Sequence, residues 1–296
     1  MPKRVLITGT STGFGRDTAE RLARRGDHVF ATMRDVQGRN AQHREALEAL
    51  ATRERLRLRV LALDVTDQAS VDHAIAEAVT EAGGLDVVIN NAGIAALGVT
   101  EAFTPEQFEQ IFAVNVHGIV RVNRAVLPSM RRQRSGLLIH VSSGAGRVTI
   151  PAMAAYCASK YALEAIADAY RYELLPFGVD SILVEPGVYR TGIHDRWIYP
   201  GDAARLADYG STAAFAERVD RVFQGIVGAP DAPGSAEVVG AIAALIDMDP
   251  EQRPVRTVVS APIQQLLDAY NVAADALRPV VAQIFNVPEL AGSPRT

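Results

Sequence analysis

Thr8-Gly9-Thr10-Ser11-Thr12-Gly13-Phe14-Gly15 stands between a β-branched run, residues 4–8, and a helical pattern, residues 15–25. Glycines at such a junction let the backbone turn sharply and approach a pyrophosphate without Cβ clashes. The free N–H groups and positive dipole end of the following helix suit the same anion. A bare strand–helix turn also uses glycines, so the motif needs its context. That context is its position after the first strand of an alternating pattern, which points to a dinucleotide site.

Outward from this turn, β-branched runs at 4–8, 28–32, 57–63, 87–90, 137–141 and 181–184 alternate with helical stretches. The helical stretches are 15–25, 41–51, 68–82, 105–132 and 152–177. Val5-Leu6-Ile7 and Val87-Val88-Ile89 are apolar on consecutive residues, so both faces of these strands must be covered. Strict alternation predicts a parallel sheet with helices on both faces. Right-handed crossovers make it an α/β, doubly wound, Rossmann-type sheet.

Past Pro186 the pattern loosens. Residues 187–210 lack a clean period, 212–223 read as helix, and 225–234 read as a turn-rich connector. Ser235 stands where it would cap a helix running to Met248. Residues 255–259 read as a last strand, and 262–285 as a terminal helix with Pro279 as a candidate break. The expected organisation is one Rossmann-type domain over 1–296. Within it, 187–234 form a substrate loop or lid and 235–296 a C-terminal extension of helices and last strand covering the substrate.

The chain has 296 residues, 30 Lys+Arg against 34 Asp+Glu, and a net charge of −4, with 48% apolar residues. That balance excludes a disordered or supercharged chain and gives no electrostatic footprint for nucleic acid. The lone cysteine, Cys157, has no partner for an internal disulfide, and Met1-Pro2-Lys3-Arg4 leads straight into the first strand. A cytoplasmic protein is therefore expected. The longest apolar run, 238–246, is too short to cross a bilayer, so no membrane span is expected. None of the six histidines pairs at metal-ligand spacing, and no metal is expected. Gly144-Ala145-Gly146 is not a nucleophile elbow, which argues against acyl transfer.

The Gly-x-x-x-Gly-x-Gly spacing at Gly9, Gly13 and Gly15 resembles the short-chain dehydrogenase/reductase family. The match continues through Asp64-Val65-Thr66, Asn90-Asn91-Ala92-Gly93, Asn115 and Ser142-Ser143. It runs on through Tyr156-x-x-x-Lys160 and Pro186-Gly187 to Thr191, covering about residues 4 to 192. The segment from Glu185 to Thr191 is similar to that of hydroxysteroid and retinol dehydrogenases in the family. The resemblance implies a nicotinamide cofactor held by Gly9, Ser11, Thr12, Gly13, Phe14 and Gly15. It also implies contacts from Asp64 and Val65 to adenine and from Asn91 and Gly93 beneath the adenosine ribose. Tyr156, Lys160, Pro186, Val188 and Thr191 complete the implied cofactor set. Asp64 reads equally as a helix cap, a role open to Asp67 as well.

An NAD site usually carries an acidic residue at the end of its second strand. Thr32 stands there, uncharged, and Arg34 and Asp35 follow. Arg34 matches a ribose phosphate and points to NADP; Asp35 on the ribose hydroxyls would point to NAD instead.

Tyr156 and Lys160 are four apart on a predicted helix, hence on one face. A phenol titrates near 10. A nearby ammonium is expected to lower that value and make Tyr156 a usable acid/base. An amphipathic Tyr/Lys pair with no chemistry has the same spacing. The family's catalytic serine corresponds to Ser143, whose hydroxyl would hold the substrate oxygen; Ser142 should face the opposite side. A strand-end serine also serves as a turn residue. Asn115 lies inside a predicted helix it does not favour. A helix kink there with a bound water is the functional reading, and the resemblance implies that this water links Lys160 to solvent as a proton relay; satisfaction of Asn115 by a neighbouring backbone group is the alternative.

Val148, Ile150, Met153, Val188, Tyr189, Ile193, Trp197, Ile198 and Tyr199 suggest an apolar alcohol, ketone or aldehyde as substrate. The expected chemistry is hydride transfer between NADP(H) and that substrate, with Tyr156 as general acid/base. The rivals are a nicotinamide-dependent sugar-nucleotide epimerase or dehydratase and a non-catalytic dinucleotide sensor. The resemblance also implies a homodimer or homotetramer through the helices at 105–132 and 152–177.

Overall fold

The computed structural model describes residues 1–261 and 263–287. Seven strands form one parallel sheet: β1 (Arg4–Thr8), β2 (His28–Met33), β3 (Leu58–Ala62), β4 (Val87–Asn90), β5 (Gly136–Val141), β6 (Val179–Pro186) and β7 (Arg256–Val259). Their order is β3-β2-β1-β4-β5-β6-β7, so the chain winds outward in both directions from the β1–β4 pair. A crevice opens beyond the C-terminal ends of strands at that switch point.

Side-chain alternation along β1 shows why both faces must be covered. Val5 and Ile7 pack on one side with Leu22 of α1 (Gly13–Arg24), Leu47 of α2 (Ala41–Glu54) and Val238 and Ile242 of α9 (Ala236–Asp247). Leu6 packs on the other with Ile75 of α3 (Gln68–Ala82) and Val122, Val126 and Met130 of α5 (Gly118–Gln133). Sliding a strand by one residue would exchange these two layers, so the pattern fixes register. Six residues of the apolar run at 238–246, Val238, Val239, Ile242, Ala243, Leu245 and Ile246, form the buried face of α9. No helix among the described residues is long and apolar enough to cross a membrane.

Where the sequence predicts one helix over 105–132, the structure has three pieces. α4 (Pro105–Phe112) opens on a capping box between Thr104 and Gln107. A π-helical turn, Ala113–His117, carries Asn115, and α5 follows. The helix expected over 152–177 is α6 (Ala154–Leu174), finished by a 3₁₀ turn at Leu175–Phe177. Beyond β6 come α7 (Ala203–Asp208) and α8 (Ala214–Gly228). α8 runs past its expected end, because Gly225 and Gly228 meet no packing constraint and Phe223 anchors the helix in the core. Ser235 does not cap α9; its hydroxyl donates to Asp17 of α1 at 2.5 Å. The expected terminal helix is two, α10 (Gln264–Asp275) and α11 (Arg278–Ile284), with a proline in the first turn of α11. Pro262 and residues 288–296 lie outside the described residues.

His140 of β5 is fully buried, accepting from Asn90 Nδ2 at 3.3 Å and donating from Nε2 to Ser181 Oγ at 3.1 Å. Ser181 Oγ in turn donates to Ala167 O, so the ring is satisfied as a neutral imidazole. Burial, with a smaller contribution from Lys160, holds its pKa down at about 3. The unfolded chain then binds one more proton than the folded protein below an ordinary histidine pKa of about 6.5. Stability should therefore fall as pH drops from about 6.5. Urea unfolding of His140→Gln should show that slope reduced by about one proton; an unchanged slope would contradict the assignment.

Candidate active site

The glycine turn is built by close approach. A Cβ on Gly15 would come within 2.4 Å of Gly9 O and of Asn91 Nδ2. Gly9 has φ +72°, and a Cβ there would lie 2.8 Å from Ala92 Cα. Asn91 ties the turn to the end of β4 by donating from Nδ2 to Thr8 O at 2.9 Å and Gly9 O at 3.0 Å. Thr8 Oγ1 accepts from the Asn91 and Ala92 N–H groups, each at 3.0 Å. At the start of α1, Thr12 makes no side-chain cap and the first turn holds no acidic residue. The first N–H groups of that helix therefore face the crevice with positive dipole and no side chain to satisfy them.

The crevice is a cleft of about 1420 Å³ running from the β2 end to the region after β6. Gly9, Ser11, Thr12, Gly13, Phe14, Arg34, Asp64, Val65, Asn91, Gly93, Ser143, Tyr156, Lys160, Pro186, Val188 and Thr191 all line it. Gly15 lies behind the turn it permits. Asn115 sits deeper still, fully buried. Arg34 thus faces the cleft, whereas Asp35 does not. Asp35 takes φ +48° and its carboxylate accepts the Arg39 N–H at 2.8 Å. The same fold-back brings Arg39, Asn40 and His43 to the cleft wall. Composition carried no signal for those three residues; the loop geometry decides it. Asp64 closes its own turn by accepting from Thr66, and Asp67 caps α3.

At the other end, Tyr156 and Lys160 share the inner face of α6. Lys160 is 5% exposed and donates from Nζ to Val141 O at 2.8 Å. The ammonium lies 5.8 Å from the centre of the Tyr156 ring. Ser143 accepts from the Ala145 N–H at 3.1 Å, and its hydroxyl is near enough to the Tyr156 phenol to act on its pKa. The Ser142 hydroxyl is buried beside Glu164, on the side away from Ser143, as strand alternation predicts. Asn115 donates from Nδ2 to Ile94 O and Ser159 Oγ, both at 2.9 Å, and accepts the Ile94 N–H at 2.9 Å. Its side chain is thus largely committed to neighbouring groups, the simpler of the two readings of its polar atoms.

The electrostatics differ from a simple Lys-lowers-Tyr picture. Burial pushes the Tyr156 phenol up to about 12, opposed by the neighbouring Ser143 hydroxyl. Burial likewise presses Lys160 down to about 8, opposed by Glu164 one turn away. Loss of water penalises both charged forms more than the neighbouring groups repay. Tyr156 is therefore held protonated and set to donate.

Over this end lies the 187–234 segment. Trp197 and Phe223 share an apolar cluster with Tyr156, Met153 and Cys157. His194 stacks on Phe223 at 4.8 Å, and Trp197 Nε1 donates to Asp220 at 2.8 Å. Phe14 meets Tyr189 edge-on at 5.6 Å, which fastens the segment to the glycine turn. Of the expected apolar residues, Val148, Ile150, Met153, Val188, Tyr189, Ile193, Trp197 and Ile198 line the cleft; Tyr199 is exposed outside it. Ser260, Ile263, Leu266 and Leu267 join them from the far C-terminal part. The expected substrate-covering extension gave no local signal for which of its residues would line the cleft, and these four were not singled out. Among the described residues no cluster of His, Cys, Asp or Glu could hold a metal ion.

Comparison with known proteins agrees with this geometry. The family model described as short chain dehydrogenase matches residues 3–198. The 3-ketodihydrosphingosine reductase of Bacteroides thetaiotaomicron is 37% identical over 194 residues, covering 66% of this chain and 66% of that protein. Human 17-beta-hydroxysteroid dehydrogenase type 1 is 40% identical over 195 residues, covering 65% of this chain and 58% of that protein. The chain therefore aligns with less than two thirds of these relatives' length. A short-chain dehydrogenase structure from Streptomyces avermitilis superposes with a TM-score of 0.76 at 28% identity, covering 97% of this chain and 98% of that one.

Because Gly15 packs on backbone and on the Asn91 amide, Gly15→Ala should cost about 1–3 kcal/mol by overpacking. A lowered urea midpoint with unchanged m value would bear this out; an unchanged midpoint would contradict the close approach.

Proposed function

The chain belongs to the short-chain dehydrogenase family, and from that premise we propose that it interconverts an apolar ketone or aldehyde with its alcohol, using NADP(H). The observation that carries this reading is one continuous cleft. It joins an uncapped glycine turn to the Ser143 and Tyr156 hydroxyls, which line the same cleft beneath an apolar wall.

The glycine turn fits a dinucleotide: Gly9, Gly13 and Gly15 leave room for a pyrophosphate, and the α1 N–H groups can receive it. When bound, the nicotinamide supplies or accepts the hydride. Everything else falls to the chain's own residues. The substrate carbonyl oxygen sits between the Ser143 and Tyr156 hydroxyls. Ser143, oriented by the Ala145 N–H, donates to that oxygen as negative charge develops. Tyr156 donates its proton, which its raised pKa keeps in place until an alkoxide forms. Lys160, held by Val141 O, supplies positive charge beside the resulting phenolate. Asn115 fixes the Ile94 turn and Ser159 around this group. The apolar cluster of Trp197, Phe223 and Met153 excludes water, and 187–234 acts as its lid. In the oxidative direction the same tyrosine accepts the proton.

The preference for the phosphorylated cofactor rests on charge placement. Arg34, Arg39 and His43 line the β2 end of the cleft, where the adenosine ribose would lie. Asp35, the candidate NAD ligand, spends its carboxylate on the Arg39 backbone. Guanidinium matches phosphate geometry.

Two measurements test the proposal. Tyr156→Phe should lower the rate of NADPH-dependent carbonyl reduction by about 10²–10⁴-fold while leaving NADPH affinity within a few-fold. Wild-type turnover in that variant would remove Tyr156 from the mechanism. Arg34→Ala should weaken NADPH by about ten- to a hundredfold, the size of a lost charge-assisted hydrogen bond, and leave NADH unchanged. Equal losses for both cofactors would return Asp35 to contention.

A further inference from the structure

Behind Lys160, on the side away from the cleft, lies a buried ionic cluster that the reaction above does not use. Lys160, Glu164 and Asp168 follow at four-residue spacing down one face of α6. Glu164 is 3% exposed and Glu185, on β6, is fully buried. Both carboxylates approach the same atom, Arg256 Nε of β7: Glu164 at 2.9 Å and Glu185 at 3.5 Å. Arg256 is further gripped by Asp168 at 2.6 Å and by Asp275 at 3.3 Å. Arg278 of α11 closes the far side on Asp168 and Asp275.

The cluster reaches the catalytic serine by two routes. Arg147, at the end of the Ser143 turn, donates to Asn271 of α10 at 2.8 Å, and Asn271 donates to Glu185 at 2.8 Å. Gly146 of the same turn lies against Glu164: a Cβ there would meet Glu164 Cγ at 3.1 Å and Ser142 Oγ at 2.9 Å. Glu164 therefore touches the backbone that aims Ser143 and stands one helical turn from Lys160.

We propose that Glu164 and Glu185 share one proton at neutral pH, with Glu185 as its holder, and that charged Glu164 is a positioning residue for Lys160 and the Ser143 turn. The charge inventory supports this. Facing the pair are Lys160 and Asp168 from α6, Arg256 from β7, Arg147 and Ser142 from the serine turn, and Asn271 and Asp275 from α10. One guanidinium nitrogen cannot fully satisfy two buried carboxylates. One oxygen of each carboxylate meets no hydrogen-bond donor, and Glu185 has the weaker share of the cations, with Arg256 at 3.5 Å and Arg147 at 3.9 Å against 2.9 Å from Arg256 to Glu164. Burial and the charge of Glu164 both push the pKa of Glu185 up, to about 8; burial pushes Glu164 up as well, opposed by the closer Arg256. Glu164 is the charge that opposes the burial of the Lys160 ammonium. The outermost helices thus enter the chemistry, α10 through Asn271 and Asp275 and α11 through Arg278, although none of these residues reaches the substrate.

The role of the pair in catalysis rests on the proposed reductase activity, whereas its shared proton does not, so two readouts separate them. The first is stability. The folded protein binds more protons than the unfolded chain between an ordinary glutamate pKa and about 8. Stability contributed by protonated Glu185 is thus lost as pH rises through that range. From pH 6.5 to 8, above the ordinary histidine range, the wild-type unfolding constant in urea should rise roughly tenfold relative to that of Glu185→Gln. Parallel curves for the two proteins would overturn the shared proton whatever the enzyme does.

The second is the pH profile of kcat for NADPH-dependent reduction. Glu164→Gln removes the charge beside Lys160 and should move the alkaline limb to lower pH. Glu185→Gln copies the protonated acid and should leave the limb in place. If Glu164→Gln does not fold, Glu164→Asp, which keeps the charge but retracts it, should lower kcat with the limb unmoved. A limb indifferent to Glu164→Gln, or a Glu164→Asp enzyme with unaltered kcat, would overturn the positioning role.

Discussion

The site depends on how closely two turns can approach at the sheet's switch point. β1 and β4 are neighbours, and the loops leaving them must cross within van der Waals distance. Gly9 and Gly15 make this possible, since a side-chain carbon at Gly15 would overlap the carbonyl of Gly9 and the Asn91 amide. Asn91 then closes the contact with hydrogen bonds to Thr8 and Gly9. The consequence is a helix start whose N–H groups face open space rather than a capping side chain. An anion is the natural complement of that arrangement. The whole cleft is laid out from this point, with polar and basic walls toward β2 and apolar walls toward β6.

Burial does the electrostatic work at the other end. Tyr156 and Lys160 are both removed from water, and both shift toward neutrality. That result makes Glu164 important, because it is the charge opposing the loss of the Lys160 proton. It also links the site to distant parts of the chain. β6, β7, α6 and α10 each contribute a charged or polar group to one cluster, so the C-terminal helices are held by the same ions that stand behind the lysine.

Much of this was readable in the linear chain. Consecutive apolar residues in β1, β4 and β6 require covered faces, and the parallel, doubly wound sheet follows from that requirement and the strand–helix alternation. Local periodicity placed α3 correctly at both ends, because Asp67 caps its start and Gly83 ends it in a left-handed conformation. It drew 105–132 as one helix with a kink expected at Asn115, and the π turn lies at that residue. Such a turn is stabilised by Ile94 and Ser159, which lie far away in sequence. It failed at Ser235, whose hydroxyl goes to Asp17 instead of its own helix.

The residue types of the site, Gly9 to Gly15, Ser143, Tyr156 and Lys160, were determined by the sequence, since chemistry of this kind needs those atoms at those spacings. Their pKa directions were not, because desolvation depends on every atom packed around a group and no local window contains them. The same holds for Arg39 and His43, carried to the cleft by the fold-back at Asp35. It holds for Leu267, which lines the cleft, and for Asn271, which joins the ions behind Lys160, only when α10 docks on β6, β7 and α6. Short-range patterns fix which groups are available; long-range packing decides which of them lose water and which meet.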